Sequence, residues 1–313
     1  MLTVKGFGIN ADAGRLDGSL DLLARDLRYF QDIGFDYVEI PVHGVEVVRN
    51  GELIPERVRE VSKLLKEFSL RYTVHAPNPL NLMDMRELHM HVNLFRSSIK
   101  FTHEIGAEVL VYHCGRFMSE EAFLLPEENR SLSPGTMEEM KQAEVGALRD
   151  MADYALGFGV EICLENARPY LDGSPYCYGE RLDQLVSQVR AVNKGNVGIN
   201  LDLGHAYLAA NYYGFDFIEA LELVKPLVRH MHIHDNFGKP SASYERKQPE
   251  LVAAGRGDCH MPIGWGGIPA AEVFNTLKDY KGVFMQELRP RYMKYCAEIL
   301  AQAKDMFAQI VRV

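Results

Sequence analysis

Short apolar runs and longer amphipathic stretches alternate along this chain from one end to the other. The runs lie at 4–10, 36–41, 71–75, 108–113, 160–165, 197–202, 229–234 and 282–287. Their β-branched and aliphatic residues, without a polar alternation, suit strands buried on both faces. The amphipathic stretches fall near 19–33, 55–69, 86–105, 136–157, 179–193, 215–225, 269–279 and 291–310. In 86–105, Leu88, Val92, Phe95, Ile99 and Thr102 recur every three to four residues and line one buried helix face. Glycines mark the stops: Gly34 after the first helix, Gly106 after the third, Gly157 and Gly159 after the fourth. Eight strand–helix units in strict alternation predict a (β/α)8 TIM barrel rather than an open doubly wound sheet. All 313 residues are expected to form that one domain.

The strand ends carry the chemistry. The run Val160–Leu164 delivers Glu165, and Val197–Leu201 delivers Asp202. His232 follows Leu227–Met231, and Glu287 follows Gly282–Gln286. A parallel barrel gathers its C-terminal strand ends into one mouth, so three carboxylates would crowd there and repel. A divalent cation held by Glu165, Asp202, His232 and Glu287 relieves that repulsion, and mixed oxygen and nitrogen ligation suits Mn, Zn, Co or Fe. Of eleven histidines, seven (43, 75, 113, 205, 232, 234 and 260) fall at or after strand C-termini. His75, His113 and His205 are the strongest of these as further ligands or substrate contacts, with His43 and His234 behind them. Asp258 and His260 add a pair in the connection after the seventh strand.

Two connections on that face are long: residues 114–135, with Arg116, Glu127, Glu128 and Arg130, and residues 236–268, with Lys239, Arg246, Lys247, Arg256, Asp258 and His260. Both are expected to form lids or substrate walls. Arg116, Arg168 and Arg289 each follow a strand-end ligand by two or three residues. Their guanidiniums either reach a carboxylate or phosphate of the substrate or pair with neighbouring acids. Trp265 either stacks on a substrate or packs within its loop. Glu39, at the end of the second strand, is open between a substrate contact and a wall residue. The cysteines at 114, 163 and 259 read as small packing residues.

Composition narrows the setting. Five cysteines without a CxxC pair, and no signal-peptide pattern at the start, suggest reduced thiols in a cytoplasm. No apolar run is long enough to span a membrane. A formal charge of −9 provides no global basic footprint for nucleic acid. A homo-oligomer is compatible with all of this.

The ordered series His75-Ala-Pro, His113-Cys-Gly, Leu164-Glu165-Asn166, Asp202-Leu-Gly-His205, His232-Ile-His-Asp235, Asp258-Cys-His260 and Gln286-Glu287 resembles the xylose isomerase-like barrel superfamily. That group joins sugar and sugar-phosphate isomerases and epimerases with nucleases of the endonuclease IV type. The resemblance to the epimerase branch implies one catalytic metal on Glu165, Asp202, His232 and Glu287. It also implies Glu165 and Glu287 as the acid/base pair, and His205 at the substrate. His232 is chosen over His230 and His234 because the family ligand stands three residues before an acid, here Asp235. The nuclease branch binds three zinc ions through nine positions, and His75, His113, Glu165, Asp202, His205, His232, Asp258, His260 and Glu287 match all nine. Yet the segment after His75 lacks the aromatic of the nucleases, and Trp265 stands where relatives of both branches carry glutamate.

The resulting expectation is a sugar or sugar-phosphate isomerase or epimerase with one to three divalent ions per chain, Mn or Zn foremost. Arg168, Arg289 and Trp265 are its expected substrate contacts. The alternatives are an endonuclease IV-like zinc phosphodiesterase on abasic DNA, and a catalytically silent barrel that keeps a metal for stability.

Overall fold

In the computed structural model, residues 4–119, 122, 132–245 and 250–310 are described. Eight parallel strands close a barrel: β1 (Gly6–Asn10), β2 (Tyr37–Pro41), β3 (Arg71–His75), β4 (Val109–His113), β5 (Glu161–Glu165), β6 (Val197–Asp202), β7 (Val228–Ile233) and β8 (Val283–Gln286). Each pairs with its sequence neighbours, and β1 meets β8 through Gly6 opposite Val283 and Phe7 opposite Phe284. This is the expected TIM barrel.

The outward side chains of the strands make the main core with the surrounding helices. Ile40, Val74, Leu110, Ile162, Leu164, Ile199, Leu201, Ile233 and Phe284 are all essentially inaccessible to water. The inward faces differ. Tyr37, Val283 and Met285 form one small apolar group, and Val109, Val111 and Cys163 another. Glu39, Thr73, Asn200 and His230 are buried polar residues on the same strands. A barrel interior usually stacks branched aliphatics, so these polar groups serve whatever lies above them.

Register fixes which ligands become neighbours. His113 lies opposite Glu165, and Asp202 lies opposite His232. The second pairing depends on a register shift between Ile199 and Asn200 against β7. Such irregularities in a ladder re-aim side chains near functional sites.

Helices cover the barrel largely where the pattern puts them, at Leu20–Ile33, Pro55–Leu65, Leu88–Glu104, Pro134–Leu156, Leu182–Val192, Phe217–Val224, Ala270–Thr276 and Cys296–Ile310. An additional helix, Leu203–Tyr213, starts directly at the end of β6 and lies outside the sequence expectation. Asp202 is its N-cap, with the Oδ1 atom accepting from the His205 N–H at 2.6 Å. A two-stranded ribbon, Val48–Arg49 with Glu52–Leu53, turns through Asn50 and Gly51 at φ 48° and 81°. None of the described helices is long and apolar enough to cross a membrane.

Of the two long connections, Glu127, Glu128, Arg130, Arg246 and Lys247 lie outside the described residues. The return of the second is clamped to the end of β7. The Asp235 carboxylate accepts from the backbone N–H groups of Gly264 and Gly266 at 2.9 Å each and of Ile268 at 3.1 Å. Only glycine fits at 266, because a Cβ there would lie 2.3 Å from the Asn236 carbonyl oxygen. Asp235→Ala removes these three charge-assisted bonds and a fourth from the Asn236 N–H at 2.8 Å, and should lower unfolding stability by about 2–4 kcal/mol. Urea unfolding checks this, and an unchanged midpoint would show that the clamp contributes nothing.

Candidate metal centre

The barrel mouth is a cavity of about 720 Å³ lined by charged and imidazole side chains, among them Glu39, His75, His113, His205, Asp258 and Glu287. Its donors fall into three sets, with Glu39, His75 and His232 as a fourth, overlapping trio, and in each one ligand atom per residue lies within 4.8 Å of the others. The first is His75, His113 and Glu165. The second is Glu165, Asp202, His232 and Glu287. The third is His205, His234, Asp258 and His260. Glu165 belongs to two of them. The nine residues singled out in the sequence thus converge here, with His234 as a tenth.

In the first set, Nε2 of His75 and of His113 each lie 3.3 Å from Glu165 Oε2. Nδ1 of His75 is 2.7 Å from the Ala76 carbonyl, which fixes Nδ1 as the protonated nitrogen and leaves Nε2 for a ligand. In the second set, His232 Nδ1 stands 3.5 Å from Glu165 Oε1, 3.3 Å from Glu287 Oε2 and 4.0 Å from Asp202 Oδ2. On its other side, His232 Nε2 is 2.9 Å from Glu39 Oε1. Glu39 also holds His230 at 3.2 Å and accepts from Thr73 Oγ1 at 3.0 Å. The role left open for Glu39 is therefore to fix the ring of a ligand from behind, as carboxylates commonly do at metal sites.

In the third set, Asp258 Oδ2 lies 2.8 Å from His260 Nε2 and 3.3 Å from His205 Nε2. His234 bridges the second and third sets, with Nε2 3.0 Å from Asp202 Oδ2 and Nδ1 3.7 Å from Asp258 Oδ1. Sequence order ranked His234 low. The available signal was Gly204, where a Cβ would lie 2.0 Å from His234 Cε1, so the glycine of Asp-Leu-Gly-His makes room for that ring. Asn166 was also passed over. Its side chain bonds both backbone groups of Asp202, at 2.8 and 3.0 Å, and its carbonyl accepts from His205 Nδ1 at 2.9 Å.

The arginines divide. Arg168 Nη1 lies 3.2 Å from Asp258 Oδ2, and Arg289 donates to the Asp258 carbonyl at 2.9 Å. Arg116 donates to the Asn78 carbonyl at 2.7 Å, anchoring the segment after β3. All three line the cavity. Trp265 does not. Its indole, still 40% exposed, stands edge-on to Tyr292 and Tyr295 of the segment after β8, with ring centroids at 5.9 and 5.1 Å.

A cation is what the donor set calls for. Buried and without a hydrogen-bond partner are Glu165 Oε1, Glu287 Oε2, Asp258 Oδ1, and Nδ1 of His232 and His234. Such atoms are expensive to leave unpaired. Burial by itself pushes the Glu165 carboxyl up, yet His113 and His232 together hold it well below the usual carboxylate range. Glu287 is held low in the same way by His260 and His232, against its burial. The compensation runs back to the rings: burial favours neutral His75, but Glu165 and Glu39 outweigh it and push it up to about 9. Protons on His75, His232 and His260, which neighbouring carboxylates favour against burial, thus neutralise the cluster, and a divalent ion fits where those protons sit.

A model of the xylose isomerase-like TIM barrel family matches residues 27–309. The chain belongs to that family. Among its relatives, the inosose isomerase of Halalkalibacterium halodurans is 24% identical, over 92% of this chain and 91% of its own. A solved D-tagatose 3-epimerase-like protein superposes with a TM-score of 0.70 at 23% identity, covering 98% of this chain and 99% of its own. The zinc-bound IolI protein superposes with a TM-score of 0.66 at 20% identity, covering 98% of both chains. Both superpositions show the same barrel fold along nearly the whole length of the chain.

Three outcomes follow for metal binding. Glu165→Gln should remove more metal per chain than Asp202→Asn, because Glu165 serves two donor sets; elemental analysis of the purified variants decides it. Glu39→Gln should weaken metal affinity by about 10–100-fold while keeping every direct ligand. Uptake should also strengthen as pH rises from 7 towards 9, since the His75 proton must leave. Calorimetry in two buffers of different ionisation enthalpy would show that proton release.

Proposed function

We propose that this chain is a metal-dependent isomerase or epimerase acting on a sugar, sugar phosphate or related polyol. The observation that carries the reading is the opposition of Glu165 and Glu287. They arrive from β5 and β8 and face each other across His232 Nδ1, at 3.5 and 3.3 Å. The cavity above them has the volume of a small-molecule site. The likeness to an inosose isomerase and to a D-tagatose 3-epimerase-like protein supports the same class.

Glu165, Asp202, His232 and Glu287 would hold the principal cation, and the zinc in the related barrel supports zinc as one candidate beside manganese. When bound, the ion supplies Lewis acidity to adjacent oxygens of an open-chain substrate. The glutamates are not equivalent. Glu287 lines the cavity and its side chain is 19% exposed, whereas that of Glu165 is 1% exposed beneath His75 and His113. Glu287 therefore meets the carbon-bound proton first, and Glu165 completes the acid/base pair through an enediolate of the substrate. Arg289, Arg168 and His205 on the cavity wall orient substrate oxygens or a phosphate.

A second reading is favoured by the three donor sets, two of which share Glu165. They support a multi-metal phosphodiesterase of the endonuclease IV type. Chelator-sensitive incision of an abasic duplex at catalytic protein concentrations would favour that reading over the first.

For the isomerase reading, candidate ketoses and ketose phosphates incubated in D2O should incorporate deuterium at carbon, followed by NMR. Glu287→Asp should retain metal but slow exchange by about 10²–10⁴-fold, because one methylene less withdraws the base. Turnover without solvent exchange would indicate a hydride shift and reduce both glutamates to ligands.

A further inference from the structure

The third donor set differs from the other two in containing a cation of its own. Arg168 follows Glu165 by three residues, just past the end of β5, and reaches across to Asp258 Oδ2 at 3.2 Å. The same nitrogen, Nη1, is 3.1 Å from His205 Nε2. Its other terminal nitrogen donates to the Tyr170 hydroxyl at 2.8 Å, and the guanidinium carbon lies 5.2 Å from the centre of that ring. Tyr170 is fully buried. Arg168 is thus seated at several points at once, which suits its planar fork.

Two physical arguments make this seat incompatible with a metal ion in the third set. Arg168 Nη1 lies within hydrogen-bonding distance of both His205 Nε2 and Asp258 Oδ2, so the guanidinium stands where an ion bound to those two atoms at about 2.0–2.2 Å would have to sit. The second argument is charge. Glu39, Glu165, Asp202, Asp258 and Glu287 form one contiguous group of carboxylates, joined through His232, His234 and His260. Arg168 neutralises one of them, which leaves less negative charge to be matched by divalent ions at this buried site.

We propose that Arg168 takes the place of a third metal ion, so that the chain holds a two-metal centre. One ion lies on His75, His113 and Glu165, and the other on Glu165, Asp202, His232 and Glu287. His205, Asp258 and His260, with His234 beside them, hold the guanidinium in a fixed position next to the metals. Arg168 is in this sense a positioning residue and a built-in countercharge. The inference rests on the metal-centre reading above but not on the identity of the reaction.

The test is a titration of metal-stripped full-length protein with cobalt(II), followed by its visible d–d absorption, with zinc counted by elemental analysis after desalting. The wild-type chain should saturate at two equivalents. Arg168→Met removes the charge and the donors at similar length, and it should acquire a third equivalent. Asp258→Asn should leave the count at two. Saturation of the wild type at any other number overturns the proposal, as does a count of two in Arg168→Met. Should Arg168→Met not fold, the wild-type count and Asp258→Asn still decide, because loss of an ion in Asp258→Asn places a metal where Arg168 is assigned. A count of two without solvent exchange of any ketose would defeat the isomerase reading and leave this inference standing.

Discussion

The constraint on which the rest of this structure depends is the convergence of buried carboxylates at one end of a barrel. Glu39, Glu165, Asp202 and Asp258 are each 3% exposed or less. Carboxylates so buried require positive charge within hydrogen-bonding distance. Much of the barrel's C-terminal end can be read as the supply and orientation of that charge. Histidines come from β3, β4 and β7, a guanidinium from the end of β5, and the donor geometry calls for divalent ions. The polar layer below follows from the same need. A barrel interior filled with aliphatics would leave His232 free to rotate; Glu39, itself held by His230 and Thr73, prevents this.

Most of the architecture was readable because the barrel repeats one physical pattern eight times. Apolar strands buried on both faces, glycine stops and amphipathic helices predicted all eight strands close to their observed ends. The helix Leu203–Tyr213 escaped because Leu203, Ala206, Leu208, Ala209 and Ala210 are buried together, leaving little amphipathic contrast. Its signals were local ones, Asp202 as N-cap and Gly214 at φ 71° as C-cap. The ribbon at 48–53 was announced by Asn50-Gly51, whose two positive φ angles match a tight hairpin turn. Short elements with little periodicity are read from such turn residues or not at all.

The candidate site was legible to the extent that barrel topology dictates it. Strand-end positions converge by construction, so Glu165, Asp202 and His232 needed only correct strand ends. Residues acting across strands were harder. Nothing local in Tyr37–Pro41 shows that Glu39 will meet His232, nearly two hundred positions later; that contact follows from barrel closure and shear. His234 is a similar case, since its place between Asp202 and Asp258 depends on the absence of a side chain at Gly204. Trp265 stands in the turn held by Asp235, and its indole meets Tyr292 and Tyr295 on the segment after β8, a contact that no local pattern announced.

Single residues here carry several demands at once, and this explains why the donor sets cannot vary independently. Asp202 caps a helix with one oxygen and faces His234 with the other. Glu165 gives one oxygen to His75 and His113 and turns the other toward His232. Asn166 joins β5 to β6 and orients His205. Moving any one of these groups displaces a neighbour that serves another set. A barrel built this way can alter its chemistry most cheaply at positions that belong to a single set and reach the cavity from a loop. Arg168, Arg289 and the segment around Asn78 meet that description. Differences in substrate among barrels that share these strand-end ligands are therefore to be sought in those loops, while the buried carboxylates and their histidines stay fixed.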